Sequence, residues 1–315
     1  MKCYFALSDD VSTKDEYYNM LKCTLKSARQ NTSLELHCLY DFRGKNSSDI
    51  ESDRLYDILK RYDVNIHIIS IDFEKELFNT YTDDYLKKIS VTKSSMYSRF
   101  LRFMIADIEK EDEYILYADT DVIFLKDITL DSFNTLPKTV AVCPEFENTY
   151  KYDYFNAGIM LLNIKSYIQA KKKLVEMLFK KQLAKIECCD QGYLNSIYEN
   201  NFEKLDNKFN WKPYWGINEE AVILHLHGLK PKLDLKTLSC KHEDWIAHLF
   251  FDNKNAKEGF FYYFNMFANY AGIDNNTVIT NLLVTLQVQN ESEIKKQRKI
   301  PFRIARKIKK IFGRR

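Results

Sequence analysis

Short apolar runs that alternate with stretches of helical spacing constrain this chain more than any other feature. Lys2–Leu7, Leu34–Tyr40 and Asn65–Ile71 read as strands. Between them, Tyr17–Ala28 reads as a helix with Met20, Leu21, Thr24, Leu25 and Ala28 on one face, and Glu51–Arg61 as a second. Tyr97–Ile108 reads as a helix that leads into a strand at Tyr114–Tyr117. Strands alternating with helices in this way are βαβ units, so the expected fold is α/β with a mainly parallel, Rossmann-like sheet flanked by helices. Val140–Cys143, Phe155–Ile164 and Val222–Leu226 add further strands, and Lys165–Lys185 and Phe260–Tyr270 further helices. Sheets of this kind bind ligands beyond the carboxyl ends of their strands.

Composition narrows the class. Of 315 residues, 45% are hydrophobic, with 21 Tyr and 21 Phe, which is enough for a substantial core. Eight glycines, five prolines and no internal repeat exclude repeat, collagen-like and linker-rich proteins. Neither GxGxxG nor GxxxxGK[ST] occurs, so neither the dinucleotide fingerprint nor the P-loop is present. Seven cysteines without a CxxC pair, two of them adjacent at Cys188 and Cys189, suit reduced thiols and a cytosolic setting. Asp9 and Asp10 interrupt the N-terminus too early for a signal peptide, and no apolar run approaches the ~18 residues of a membrane span. A soluble or peripheral protein is expected.

The chemistry gathers at four places. YILYADTD ends a strand with Asp119 and Asp121 two residues apart. In extended chain they face one side, where their like charges need a cation or a hydrogen-bond cage. YFNAGIMLLNI places Asn156, Ala157 and Gly158 in an otherwise apolar run, where a buried amide needs partners and small neighbours leave room for a ligand. DQGYLN sets Asp190 beside Gln191 at a helix start, a pairing suited to sugar hydroxyls. HLHGLKPK groups His225, His227, Lys230 and Lys232 around Gly228, a setting for a metal and anionic oxygens. Taken singly, each has a plainer reading: a polar turn, a core asparagine, a helix cap and a polar loop.

In their order and spacing, FA-x-x-D at Phe5–Asp9, Y-x-R-F-L at Tyr97–Leu101, DxD, FNAG, DQ and HxxG followed by KP resemble the retaining glycosyltransferases of family 8. That family includes bacterial lipooligosaccharide galactosyltransferases and glycogenin, and the likeness spans roughly residues 1–235. The resemblance implies a GT-A fold and a divalent metal, Mn2+ or Mg2+, held by Asp119, Asp121 and His225. It implies donor-binding roles for Ala6, Asp9, Arg99, Asp119, Thr120, Asn156, Ala157, Asp190, Gln191, His227, Gly228 and Lys230, with Asp190 and Gln191 the catalytic positions. Within that set, Ala6 and Asp9 lie near base and ribose, Lys230 at the diphosphate and Gln191 nearest the reacting carbon. Ser8 stands where the family usually has an acid, Gly192 where a second carboxylate often follows DQ, and Lys232 where tryptophan is common. The Gly228–Lys230 gap is one residue short, so His227 competes with His225 as metal ligand.

Eleven basic residues and no acidic ones lie between Lys295 and Arg315, leaving 36 basic against 44 acidic residues, a net charge of −8, in the rest. Ile304, Ala305, Ile308, Ile311 and Phe312 share one helical face with cations around it. Such a helix suits an anionic membrane surface, and the acidic body argues against nucleic acid. The expected organisation is a catalytic domain over 1–235, a helical region over 236–293 and a membrane-associating tail over 294–315, on the cytoplasmic face of the membrane. The expected reaction is metal-dependent, retaining transfer of a hexose from a UDP-sugar to a glycolipid or polysaccharide. A nucleotide-sugar hydrolase, a nucleotidyltransferase or a non-catalytic binding protein are the rival readings of the same residues.

Overall fold

The run KCYFALS forms strand β1 (Lys2–Ser8), and its alternation sets which residues fill each side of the sheet. Cys3, Phe5 and Leu7 enter one apolar layer, and Tyr4 enters the other. The computed structural model describes residues 1–8, 15–42, 50, 53–88, 91–180, 189–231, 254–284 and 287. The chain divides into two compact units: Met1–Trp211 with Asn218–His225, and Lys212–Ile217 with the chain from Leu226 onward.

In the first unit β1 pairs in parallel with β2 (Glu35–Asp41) and β4 (Tyr114–Ala118), and β2 pairs in parallel with β3 (Asn65–Ile68). Strand β7 (Phe155–Asn163) runs antiparallel to β4 and to β6 (Val140–Pro144), and β8 (Glu203–Lys204) lies parallel to β6. The order is β3-β2-β1-β4-β7-β6-β8, with β7 alone reversed, so the mainly parallel α/β expectation holds. All nine residues of β7 are buried, as a strand covered on both faces requires.

Helices α1 (Asp15–Asn31) and α2 (Arg54–Arg61) cover the Phe5 side, burying Leu21, Leu25, Leu55 and Leu59. Asp53 caps α2, accepting from the Leu55 and Tyr56 amides at 2.9 and 3.0 Å, so this helix starts later than its apolar pattern suggests. Two short helices, α3 (Glu74–Thr80) and α4 (Asp83–Lys88), have too few residues to display a period in sequence. The expected helix at 97–108 begins earlier, as α5 (Lys93–Phe100), because Thr92 accepts from the Ser95 amide. It tightens to a 3-10 turn at Leu101–Met104 and ends as α6 (Ile105–Ile108). With α7 (Ile164–Phe179) and α8 (Cys189–Ile197), α5 covers the Tyr4 side.

A second, two-stranded sheet matters more to the site. Strand β5 (Val122–Phe124) pairs antiparallel with β9 (Ile223–His225), in the register Val122↔His225. The outer edge of β5 is clasped by α1. Ser27 accepts from the Phe124 amide at 3.1 Å, Asn31 donates to the Phe124 carbonyl at 2.7 Å, and Thr24 donates to the Val122 carbonyl at 2.7 Å. The polar members of the helix face thus satisfy a strand edge that would otherwise be buried without partners.

In the second unit, α9 (Lys254–Ala271) buries Phe260, Tyr263, Phe264 and Phe267. Its Gly259 lies against the backbone of Pro213, where a Cβ would fall 2.0 Å from the carbonyl oxygen. No helix among the described residues is long and apolar enough to cross a membrane. The basic segment beyond Lys295 lies outside them.

The turn into β4 is held by Glu109, which is 1% exposed. Burial opposes its charge, but amides of Asp112 and Glu111, the Tyr4 hydroxyl at 2.7 Å and the Lys2 ammonium together lower its pKa from 4.5 to about 2. A group depressed on folding stabilises above its unfolded pKa and loses that effect as pH falls through the folded one. Glu109→Gln is therefore expected to cost about 2 kcal/mol at neutral pH, the order of a buried hydrogen bond to a charged group. The gap in urea midpoint between the two proteins should close as pH drops from 4.5 to about 2.

Candidate active site

The chain bends between β4 and β5, and Asp119, Thr120 and Asp121 occupy the bend. Two hydrogen bonds fix it. The Asp119 amide donates to the Gly158 carbonyl at 2.7 Å, and the Thr24 hydroxyl, 2.9 Å from the Thr120 carbonyl, shares its one proton between that oxygen and the Val122 carbonyl. Because β9 runs beside β5 with His225 opposite Val122, the imidazole arrives next to Asp121, with Nε2 3.3 Å from Oδ1.

Asp119, Asp121 and His225 each present one ligand atom, all within 4.8 Å of one another. Two carboxylates and one imidazole suit a hard divalent ion such as Mn2+ or Mg2+. Electrostatics favour the same occupant. Burial raises the pKa of Asp119; the carboxylates of Asp121 and Asp190 push the same way, against Arg102 and the Tyr117 hydroxyl. A cation at this point would relieve that strain.

Arg102, which sequence reasoning passed over in favour of Arg99, is the hub of the neighbouring side chains. It is 7% exposed. Nε lies 3.2 Å from Asp190, Nη2 3.1 Å from Asp119, and Nη1 donates to the Ala157 carbonyl at 2.8 Å. Tyr117 stacks under its guanidinium at 4.5 Å and donates to Asp119 at 2.9 Å. Arg102 follows Arg99 by three positions, about one helical turn, so the sequence offers two cations on neighbouring spots and does not choose between them.

A cavity of about 330 Å³ opens beside this hub, lined by Arg99, Arg102, Asp119, Ala157, Gly158, Asp190 and Gln191. Gln191 is held at both ends of its amide. Oε1 accepts from the Ala157 amide at 3.0 Å, and Nε2 donates to Glu145 at 3.0 Å. Asn156 donates to the same Glu145 oxygen at 2.8 Å and accepts from the Gly158 amide at 3.0 Å. The smallness at Gly158 serves the imidazole as well as the cavity, since a Cβ there would fall 2.3 Å from His225 Cε1.

Five predicted positions, Arg99, Asp119, Ala157, Asp190 and Gln191, therefore meet at one cavity. Asn156 stands behind it in the hydrogen-bond network, and Thr120 contributes its carbonyl to the bend. Ala6 packs half-buried against the apolar layer on the Tyr4 side, and neighbouring Ser8 shares a 2.6 Å hydrogen bond with Ser98. Asp9 and Lys232 lie outside the described residues. His227, Gly228 and Lys230 belong to the second unit. There His227 Nδ1 is 2.8 Å from the Tyr214 hydroxyl, Lys230 donates to the Leu226 carbonyl, and Gly228 adopts φ +84°, a region that favours glycine. Of the two competing histidines, His225 is the one grouped with the aspartate pair.

Glu145 and Asn210 were also missed. A charged residue just past the end of strand β6 was open to the carboxyl-end rule; Asn210, one of two asparagines in a short 3-10 turn, carries no sequence signal.

A mainly parallel α/β sheet with this carboxylate bend at its end is the GT-A type of fold. Solved structures agree: galactosyltransferase LgtC, in complex with donor and acceptor sugar analogs, aligns with TM-score 0.55 at 16% identity, covering 86% of this chain and 95% of that one. The apo-form glycosyltransferase GlyE of Streptococcus pneumoniae TIGR4 aligns with TM-score 0.53 at 18% identity, covering 90% of this chain and 63% of that one. The family model for glycosyl transferase family 8 matches residues 11–234, and the chain belongs to that family. Among relatives by sequence, glycosyltransferase GlyA of Streptococcus pneumoniae serotype 4 is 25% identical over 250 residues, 74% of this chain and 33% of GlyA. Lipopolysaccharide 1,3-galactosyltransferase of Salmonella typhimurium is 28% identical over 203 residues, 58% of this chain and 56% of that protein. The chain thus spans about a third of GlyA and just over half of the galactosyltransferase.

Arg102→Met would remove the buried partner of both Asp119 and Asp190. We expect a loss of about 3–5 kcal/mol in unfolding free energy. Arg102→Lys should fall between, because an ammonium cannot reproduce the guanidinium fork. Urea denaturation of the three proteins checks the order.

Proposed function

We propose that this protein is a metal-dependent, retaining hexosyltransferase that uses a UDP-sugar donor and a saccharide acceptor. The acceptor we favour is a surface glycolipid, a lipooligosaccharide or lipopolysaccharide, or a polysaccharide. The observation that carries the reading is the convergence of Asp119, Asp121 and His225 beside a cavity that Asp190 and Gln191 also line. Family membership supports a nucleotide-sugar donor, and the likeness to the Salmonella lipopolysaccharide 1,3-galactosyltransferase supports a glycolipid acceptor.

In this reading Asp119, Asp121 and His225 hold Mn2+ or Mg2+, which when bound supplies Lewis-acid stabilisation of the diphosphate leaving group. The protein's own residues do the rest. Lys230 adds positive charge at the diphosphate, as the family motif assigns it, with His227 and Gly228 beside it in sequence. Ala6 and Asp9 receive base and ribose. Arg99, Asn156, Ala157, Asp190 and Gln191 hold the donor sugar, with Gln191 nearest the reacting carbon. Arg102 holds Asp190 and Asp119 in place without needing to touch the sugar. The Gln191 amide, fixed at both ends, is oriented before any ligand arrives, which saves ordering cost in the bound state. Tyr154 is exposed beside this network, its hydroxyl 3.4 Å from Gln191, and an aromatic face of this kind suits a saccharide ring.

Titration calorimetry of UDP and a panel of UDP-hexoses, with Mn2+ and with chelator, tests the proposal. UDP should bind wild type only with metal, Asp121→Asn should bind at least ~10-fold more weakly, and the tightest hexose should name the donor. Binding indifferent to metal and to Asp121 would defeat the proposal. Product analysis separates the rivals: free sugar without acceptor points to a hydrolase, and pyrophosphate to a nucleotidyltransferase.

The tail is assigned the task of holding the enzyme reversibly at the cytoplasmic face of the membrane, where a glycolipid acceptor would be embedded. Each basic residue near an anionic surface contributes on the order of 1 kcal/mol. A chain ended before Lys295 should no longer sediment with phosphatidylglycerol vesicles, while the full chain should, and high salt should release it. Equal sedimentation of both would remove the tail from this role.

A further inference from the structure

Asn210 is wholly buried, and nothing in the proposed chemistry uses it. Its amide lies between Asn156 and His225: Nδ2 is 2.9 Å from Asn156 Oδ1, and Oδ1 is 3.0 Å from His225 Nδ1. The direction of this chain of hydrogen bonds follows from its ends. The Glu145 carboxylate accepts, so the Asn156 atom 2.8 Å away is the amide nitrogen. The Gly158 N–H donates, so the Asn156 atom 3.0 Å from it is the carbonyl oxygen. That oxygen also meets Asn210, which must therefore offer its NH2 there and its carbonyl oxygen to the imidazole. His225 then has to carry a proton on Nδ1. In the neutral ring the lone pair is left on Nε2, the atom that faces Asp121 at 3.3 Å.

We propose that Asn210 is a positioning residue that, backed by Asn156 and Glu145, holds His225 in the Nδ1–H tautomer so that Nε2 is ready to take the metal. This rests on the metal-site reading above. Gly158 completes the seat, since a Cβ there would collide with the ring at 2.3 Å. Groups of this kind that orient a ligating imidazole commonly change metal affinity 10- to 100-fold when removed.

The test reads the tautomer directly. Long-range 1H–15N correlation spectra of the metal-free full chain at alkaline pH, with His225→Gln to assign the ring signals, should show Nδ1 protonated in wild type. Asn210→Leu should move the ring toward the Nε2–H form and weaken Mn2+ binding, measured by calorimetry, about 10- to 100-fold. Asn210→Asp keeps an acceptor for the imidazole and should restore the Nδ1–H signal. An Nε2–H ring in wild type would overturn the proposal, and so would an unchanged tautomer in Asn210→Leu. The wild-type spectrum decides the matter even if that variant fails to fold. If wild type showed the Nδ1–H ring yet bound no Mn2+ with or without UDP, the metal site would fail while the relay stood.

Discussion

Three carboxylates, those of Asp119, Asp121 and Asp190, share one end of a buried sheet, and the Arg102 guanidinium is what makes that arrangement tenable. Like charges in a partly dry setting repel strongly unless a cation or hydrogen bonds meet them. Arg102 meets two of the three and donates through Nη1 to the Ala157 carbonyl, so one side chain ties the ends of β4, β7 and α8 together. Asp121 is left facing His225. One end of the charge cluster is thereby neutralised permanently, and the other has the composition of a site for an exchangeable cation.

The topology delivers these groups in a definite way. Reversing β7 beside β4 puts the start of β7, with Asn156 and Gly158, next to the end of β4, so the FNAG and DTD segments are neighbours for a topological reason. The β5–β9 ladder then carries His225 in from a distant part of the chain, and α1 secures β5 through Thr24, Ser27 and Asn31. The two sheets answer separate demands. The large one builds the apolar frame, and the small one sets a single imidazole against a single bend.

Most of the frame was legible because long apolar periods survive any context. β1, β2, β4, α1 and α7 stand where their spacing puts them, with shifts of a few residues where a cap such as Asp53 or Thr92 overrides the pattern. At the site, residues that announce themselves by type and motif were legible: the aspartate pair, Asn156, the Asp190–Gln191 pair and His225. What stayed hidden were the side chains that act through others. Arg102 is one of two nearby arginines, and only the packing of the fold distinguishes the buried one. Asn210 becomes meaningful only when β9 lies beside it. Strand β5 is three residues of VIF directly after the bend, too short a run to declare itself against the loop that follows.

The same distinction explains why the buried polar network behind the cavity consists of amides. A carboxylate in place of Asn210 could accept from His225 but could not donate to Asn156, and an alcohol would be too short to span both. An amide both donates and accepts across a fixed plane, so two of them in series carry a direction from Glu145 to His225 without placing further charge in an already crowded electrostatic setting. Each must be satisfied, because a buried unpaired amide costs more than the bond it replaces contributes. Here the main partners of Asn156 and Asn210 are one another, the Gly158 N–H, Glu145 and the imidazole. The cavity wall and the imidazole seat thus belong to one hydrogen-bonded network, and the orientation of Gln191 and that of His225 trace back to the same Glu145–Asn156 pair.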